Sequence, residues 1–108
     1  MKRGEIWTVS GGPDYLGKAR PAVIIQSDAF SETGSITVCP ITSHDIDVPL
    51  LRLELIPEVS NGLNQVSRVM IDKVATVSRT KLGSRMGILH EDQMSRISRM
   101  LIDFLALV

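Results

Sequence analysis

Two short segments, about twenty residues apart, each place residues able to bind phosphate at the end of an apolar strand. Arg20 and Pro21 precede the apolar run 22–25, and Pro40-Ile41-Thr42-Ser43 closes a second apolar run. Proline has no N–H to give to a sheet, so Pro21 favours the first position of a strand and leaves Arg20 on the rim. Pro40 predicts a disruption of its strand, as a bulge or a sheet edge, just before the two hydroxyls. A guanidinium and two hydroxyls on one rim can hold a phosphate, although a solvated Arg and two loop hydroxyls explain the same pattern.

The chain does not have the residues for a metal site. His44 and His90 are far apart, Cys39 is the single cysteine, and no His-x-x-His or clustered acidic spacing occurs. We therefore predict no metal and no cofactor. If the chain cleaves RNA, side chains alone must take the proton of the 2′-hydroxyl, stabilise charge on the phosphate and protonate the leaving 5′-oxygen. Arg20 suits the second role, because its planar fork binds two phosphate oxygens and keeps its charge.

The composition indicates a soluble globular protein in a reducing compartment. The 108 residues suffice for one domain, and 44% of them are hydrophobic and 22% charged. Cys39 lies in an apolar strand, so we expect a buried thiol and not a nucleophile. No apolar run reaches the roughly 20 residues of a membrane span, and the N-terminus lacks a signal-peptide core. The sequence therefore predicts a cytoplasmic protein with a single domain, residues 1–108, and no membrane partner.

The charges are balanced in number and uneven in position. Twelve Lys and Arg residues balance twelve Asp and Glu residues, which argues against a surface coated with bases for nucleic acid. Residues 28–58 carry six acids and one base, whereas residues 68–85 carry five bases and one acid. This segregation permits a local basic surface for phosphate contacts. Interleaving of the strands would instead cancel the charges, and both arrangements are open.

Hydrophobic patterning predicts six or seven short strands followed by a helix. The expected strands cover residues 5–10, 21–27, 36–42, 51–55, 66–71, 74–77 and 87–89. Trp7 is expected in the core, and the Gly- and Pro-rich stretch 11–17 is expected to be a loop. Tyr15 in that loop and Phe30 are the aromatic side chains available to stack on bases. The C-terminal helix has its apolar stripe at Met94, Ile97, Met100, Leu101, Phe104 and Leu105, and this stripe must cover the strands of the same chain or a second subunit.

Motifs in a fixed order resemble the MazF/PemK (Kid) family of toxin endoribonucleases. They are Lys2-Arg3-Gly4-Glu5-Ile6-Trp7, Arg20-Pro21-Ala22-Val23-Ile24 and Pro40-Ile41-Thr42-Ser43, followed by matches at 61–63, 66–72 and 76–82. The resemblance covers essentially the whole chain. It implies a β-rich α+β fold, an SH3-like small barrel with a C-terminal amphipathic helix, in a homodimer. It also implies a toxin that cleaves single-stranded RNA without metal and is neutralised by a cognate antitoxin with an acidic, partly disordered tail.

The resemblance also implies site residues. Arg20 and Thr42 occupy the positions that act on the scissile phosphate in the family, and Asp72 matches an acidic position that some members use as the general base. Those members pair the acid with an Arg two residues earlier, where this chain has Met70, and the loop before Arg20 lacks their Glu and His. The base is therefore open between Asp72, Lys18 and His44. Contacts to RNA are expected from Lys18, Ser43, His44 and Lys73.

A second hypothesis is a binding module of the same fold without catalysis, such as a gyrase-inhibiting toxin of the CcdB type. The gyrase-contacting end of that family reads Trp-Gly-Ile, whereas this chain reads Ala106-Leu107-Val108. That family also lacks the Arg-Pro strand start. The sequence therefore favours a ribonuclease, and cleavage of RNA separates the two hypotheses.

Overall fold

A computed structural model of the protein describes residues 1–11 and 18–108, so the predicted loop from residue 12 to residue 17, with Tyr15, lies outside the described residues. The α-helix among them, α1, falls short of the length and apolar character needed to cross a membrane. Single turns of 3-10 helix cover Asp28–Phe30, Ile71–Lys73 and Arg79–Lys81. The strands and α-helix are β1 (Glu5–Val9), β2 (Arg20–Ile24), β3 (Ser35–Thr42), β4 (Arg52–Leu55), β5 (Ser67–Met70), β6 (Ala75–Ser78), β7 (Leu82–Ile88) and α1 (Glu91–Leu105).

The strands form an antiparallel sheet around β3. The order is β4-β5-β3-β2-β1-β7, and β6 also pairs with β3. β3 pairs with β2 along one edge, and along the other edge first with β6 and then with β5. Across the described strands the sheet does not close on itself, but its short antiparallel strands and C-terminal helix are those of a small barrel-like fold. The predicted β-rich fold class is confirmed.

Pro40 lies within β3 without the predicted bulge, at a local gap in the pairing along one edge of the strand. The carbonyl of Thr37 accepts a hydrogen bond from Ile25 at the β2 edge, so by alternation Pro40 faces the opposite edge. On that edge, pairing with β6 ends at Val38 and pairing with β5 begins at Ile41. The missing N–H therefore falls where the edge changes partners and no ladder bond has to form. The strand runs on to Thr42.

The apolar strands bury side chains on both faces of the sheet, which explains their continuous apolar runs. Val23 and Cys39 lie in the larger core cluster with α1, whereas Ala22 and Ile24 lie in the smaller cluster on the other face. Cys39 is fully buried, as predicted, and burial, together with the nearby Asp72 charge, raises the pKa of its thiol to about 12.

Trp7 is only half-buried and packs at the edge of the smaller cluster, so its predicted place in the core is wrong. The indole needs a hydrogen-bond partner, and its N–H donates to the Glu5 carboxylate at 3.0 Å.

The last strand, β7, is longer than predicted. Its residues Gly83, Ser84 and Arg85 are exposed and show no apolar alternation, so hydrophobic patterning did not mark them as strand. The segment after Met70 forms a 3-10 turn and not a strand.

The C-terminal helix is confirmed, and it buries only part of its apolar stripe. Its first turn is capped where the backbone N–H of His90 donates to Gln93 Oε1 at 2.8 Å. Ile97 is fully buried against the larger cluster. Phe104 and Leu105 remain 44% and 49% exposed. The helix therefore covers the sheet with its first half and presents apolar surface with its second.

Glu5 ties the start of β1 to β7. Its Oε1 accepts the backbone N–H of Lys2 at 2.9 Å and the Trp7 indole N–H, while Oε2 accepts Nε of Arg85 at 3.0 Å. Burial by itself would raise the pKa of the Glu5 carboxyl, but these donors outweigh it and lower the pKa from 4.5 to about 2. The ionised carboxylate is therefore the form that the fold stabilises.

Glu5→Gln should lower stability at neutral pH by about 2 kcal/mol, the size of one hydrogen bond to a charged group. Because the folded pKa lies below the unfolded value, the stabilisation is present above pH 4.5 and is lost as the pH falls towards 2. Thermal unfolding followed by circular dichroism at several pH values measures this. The difference in stability between Glu5→Gln and the parent protein should shrink as the pH falls from 4.5 to 2. The control Glu32→Gln, at an exposed position, should have the same stability as the parent protein. An equal deficit at all pH values would contradict the assignment.

Candidate active site

Antiparallel pairing brings the start of β2 and the end of β3 to the same end of the sheet. Ala22 lies opposite Pro40, and the same register two residues further brings Arg20 level with Thr42. Both side chains line one surface groove of about 650 Å³. The two motifs separated in the sequence therefore meet. The full lining is Arg20, Pro21, Ile41, Thr42, Ser43, His44, Leu63, Asn64, Gln65, Ser67, Met70 and Met86.

The Arg20 side chain is exposed at the rim of this groove. Within the parts of the chain that the structure describes, its guanidinium has no ion-pair or hydrogen-bond partner. A guanidinium in this state has its donors free for the oxygens of a phosphate, which it can contact two at a time. The groove therefore carries a fixed positive charge at its rim.

Thr42 forms a turn that aims its hydroxyl. Its Oγ1 accepts the backbone N–H of His44 at 3.0 Å, and the side chain is half-buried. A hydroxyl that accepts this bond still has its own proton to donate. Ser43 and His44 follow on the same turn and line the same groove. The arrangement places a hydroxyl donor, a second hydroxyl and an imidazole beside the guanidinium.

Arg68 stabilises this turn from the neighbouring strand, and the sequence did not single it out for this role. It is the cross-strand partner of Thr42, and its guanidinium donates to the carbonyl of Ser43 at 3.3 Å. The same guanidinium lies 3.6 Å from the Asp45 carboxylate and 3.5 Å from that of Glu54. Arg68 therefore joins the segment after β3 to β4.

The far wall of the groove comes from the segment between β4 and β5. Leu63 is buried in the larger core cluster, and Asn64 and Gln65 follow it as exposed side chains. Ser67 Oγ donates to the carbonyl of Gln65 at 2.9 Å. The sequence predicted a turn at Asn61-Gly62 but did not connect it with the site. The signal available was the pair of carboxamides directly after that turn.

Three of the predicted site residues do not line this groove. Lys18 and Lys73 are exposed side chains outside it. Asp72 is ion-paired with Arg52 of β4, whose side chain is only 7% exposed. Arg52 is the cross-strand partner of Met70, so β4 supplies the arginine that the sequence lacks at position 70. The structure thus brings together Arg20, Thr42, Ser43 and His44 but not Asp72.

The bases of residues 68–85 are largely engaged by other elements. Arg68 lies against Asp45 and Glu54, and Arg85 pairs with Glu5 at 3.0 Å. Arg79 donates to backbone carbonyls of the loop before β3, including that of Thr33 at 2.8 Å. The fold therefore favours interleaved charges over a broad basic patch. Arg20 supplies the charge of the groove.

Comparison with known proteins places this geometry in a family. Residues 2–105 match the model of the PemK-like, MazF-like toxin of type II toxin–antitoxin systems. The "probable endoribonuclease MazF" of Mycolicibacterium smegmatis is 48% identical over 99% of this chain and 98% of its own length.

Solved structures agree in fold. The endoribonuclease in complex with its cognate antitoxin from a mycobacterial species has a TM-score of 0.83 at 20% identity, covering 100% of this chain and 97% of that one. The Mycobacterium tuberculosis toxin MazF-mt6 has a TM-score of 0.79 at 25% identity, covering 94% and 96%. At the identity of the first of these, the likeness supports the fold alone. The family assignment comes from the sequence matches.

Proposed function

The chain belongs to the family of PemK-like, MazF-like toxins of type II toxin–antitoxin systems, and on that premise we propose that it is a cytoplasmic endoribonuclease. It cleaves single-stranded mRNA at specific sequences without a metal ion and thereby inhibits translation and growth. The observation that carries this proposal is the meeting of Arg20 and Thr42 in one groove, although they lie on different strands. Both side chains carry hydrogen-bond donors suited to the oxygens of a phosphodiester bound in this groove.

The groove contains candidate groups for stabilising the phosphate and for transferring a proton. The 2′-oxygen forms a new bond to phosphorus as its proton passes to a base, and the bond from phosphorus to the 5′-oxygen breaks as that oxygen receives a proton from an acid. The products are a 2′,3′-cyclic phosphate and a 5′-hydroxyl. Arg20 and the Thr42 hydroxyl donate to the phosphate oxygens as negative charge develops on them. Because the 2′-hydroxyl is the nucleophile, DNA should be inert.

We propose His44 as the proton-transfer group. Of the described residues that line the groove, it is the one whose side chain type exchanges protons near neutral pH. Its turn is held by Thr42 and lies next to the Arg68 contact. Asp72, the other candidate for the base, has its carboxylate engaged by Arg52. We therefore assign Asp72 to the stability of the β4–β5 region.

Asp72→Asn should leave cleavage within about tenfold of the parent rate and lower stability by about 2 kcal/mol. Removing the charge leaves the Arg52 guanidinium largely buried without a counter-ion, and the cost is below that of a fully buried pair because Asp72 is 24% exposed. A pH–rate profile and thermal unfolding measure the two effects. If the pH–rate profile of Asp72→Asn keeps its acidic limb, Asp72 is not the group that causes the limb, and His44 is the candidate base. A folded variant that loses both the activity and the acidic limb would restore Asp72 as the base.

The apolar surface left on the fold suits a homodimer. Leu50 is 86% exposed and Phe104 is 44% exposed, and both line a second groove, of about 510 Å³, between α1 and the segment before β4. Exposed apolar patches of this kind mark interfaces. The exposed Arg96 and Arg99 also line this groove and suit an acidic antitoxin tail bound near the dimer seam. Such a tail would compete with RNA, and its binding would weaken with salt.

One experiment tests the class of function. The purified protein is incubated with a long single-stranded RNA in EDTA, and its oligomeric state is measured on the same sample by sedimentation at micromolar concentration. Fragments cut at defined sites with 5′-hydroxyl ends, from a dimer, are the expected result. RNA that stays intact at high protein excess would favour the non-catalytic binding module. A matched single-stranded DNA serves as the control and should remain uncut.

A further inference from the structure

We propose that Asn64 and Gln65 read the identity of a base next to the scissile phosphate. This inference rests on the proposed ribonuclease function and adds the residues that select the sequence to be cut. Both side chains are exposed and line the groove that contains Arg20 and Thr42. Among the described residues, neither carboxamide has a hydrogen-bond partner, since Gln65 uses only its backbone carbonyl. Their donors and acceptors are therefore available to a ligand in the groove.

The segment that carries these two residues is folded around a buried side chain. Asn61 is 1% exposed, and its Oδ1 accepts the backbone N–H groups of Glu58 at 3.1 Å and Leu63 at 3.0 Å. Its Nδ2 donates to the carbonyl of Ile56 at 2.9 Å. One side chain thus replaces the backbone pairing that a loop lacks and closes residues 56–63 into a compact unit.

Close backbone approaches then hold this unit against β7. Gly62 has φ +72°, and a Cβ there would lie 2.2 Å from the carbonyl oxygen of Met86. A Cβ on Gly87 would lie 2.3 Å from the carbonyl oxygen of Ser60. Only glycine permits both contacts. Asn64 and Gln65 therefore follow directly on an anchored turn, and their backbone is positioned before any ligand arrives.

Uncharged carboxamides on an anchored backbone suit bases better than phosphates. Sequence-specific proteins read single-stranded RNA by hydrogen bonds to the edges of splayed-out bases. A carboxamide presents an acceptor beside a donor. It can pair in two-point fashion with a base that shows a donor beside an acceptor on one edge, as adenine does. Arg20 and Thr42 would hold the backbone, and the far wall would select the base.

The test is cleavage of a random-sequence RNA pool, with the cut sites identified by sequencing. The parent protein is compared with Asn64→Ala, Gln65→Ala and the double variant, and Val66→Ala is the matched control. Val66 is the next residue, is 37% exposed and does not line the groove. The carboxamide variants should lose selectivity at one nucleotide position by about tenfold or more, since a good two-point contact contributes that much. They should still cut the pool, and the control should keep the parent motif.

The possible failures are distinguishable. If the parent protein cuts no RNA, the proposed function fails, and the base-reading role fails with it. If the parent cuts with a defined motif and the variants keep that motif, only the base-reading role is overturned. That role is also overturned if the variants slow every site by one factor while thermal unfolding shows them folded, because such a result indicates contacts to the RNA backbone. Cutting by the parent without sequence preference would likewise overturn it.

Discussion

Arg20→Ala should reduce the rate of RNA cleavage by about 1000-fold while leaving the fold intact. The guanidinium is the charged group at the rim of the groove, and loss of one preorganised donor to developing negative charge typically costs 100- to 1000-fold. Because the side chain is exposed, its removal should not change the thermal unfolding temperature. The measurement is single-turnover cleavage of a short RNA that contains the cut site, in EDTA.

Two further variants separate the shape of the Arg20 side chain from its charge. Arg20→Lys keeps the charge but loses the two-point fork, so it should recover only part of the rate. Lys81→Ala removes an exposed positive charge outside the groove and should cleave at the parent rate. If Arg20→Ala cleaves RNA at a near-normal rate, Arg20 has no role in binding the phosphate, and the proposed site loses its charged donor.

Thr42→Val should slow cleavage by about 100-fold. Valine keeps the shape of threonine and removes the hydroxyl, so the phosphate loses one donor near the reacting centre. The His44 N–H also loses its acceptor, which should lower stability by about 1 kcal/mol. Thr42→Ser retains the hydroxyl and should retain most of the activity. The loss should appear in the maximal single-turnover rate at saturating RNA, because the interaction strengthens as charge develops.

A threonine at the other end of the same strand provides the control for Thr42. Thr37 bonds to Thr76 on β6 through its hydroxyl at 2.9 Å and lies away from the groove. Thr37→Val should therefore change stability without changing cleavage per folded molecule. If Thr42→Val cleaves within twofold of the parent protein, the hydroxyl takes no part in the reaction.

Much of the architecture could be predicted from local patterns. The apolar runs with β-branched residues predicted β2 and β3, and the three- and four-residue spacing from Met94 onward predicted α1. Pro21 correctly predicted a rim position for Arg20, although β2 begins at Arg20 and Pro21 is its second residue and not its first. At Pro40 the same argument predicted a bulge or a sheet edge, and the structure has a gap in the pairing there, because the strand changes partners at that residue.

The family and the proposed phosphate-binding pair were also readable in the sequence. Arg20 and Thr42 belong to short motifs whose order persists along the chain, and the match over residues 2–105 bears out the family that those motifs predicted. The role of each residue in the reaction stays a prediction until the variants are measured. What the motifs specified is which side chains are present at the ends of two strands.

Which other residues join them was decided only by the tertiary structure. Asn64 and Gln65 reach the groove because glycines at 62 and 87 let a loop and β7 approach closely, and nothing local marks that contact. Asp72 receives its arginine from β4, twenty residues earlier in the chain, and is thereby engaged away from the groove. Periodicity and turn chemistry act over a few residues and therefore determine elements and their ends. Register and loop packing join residues distant in sequence, and these determined which side chains share a site.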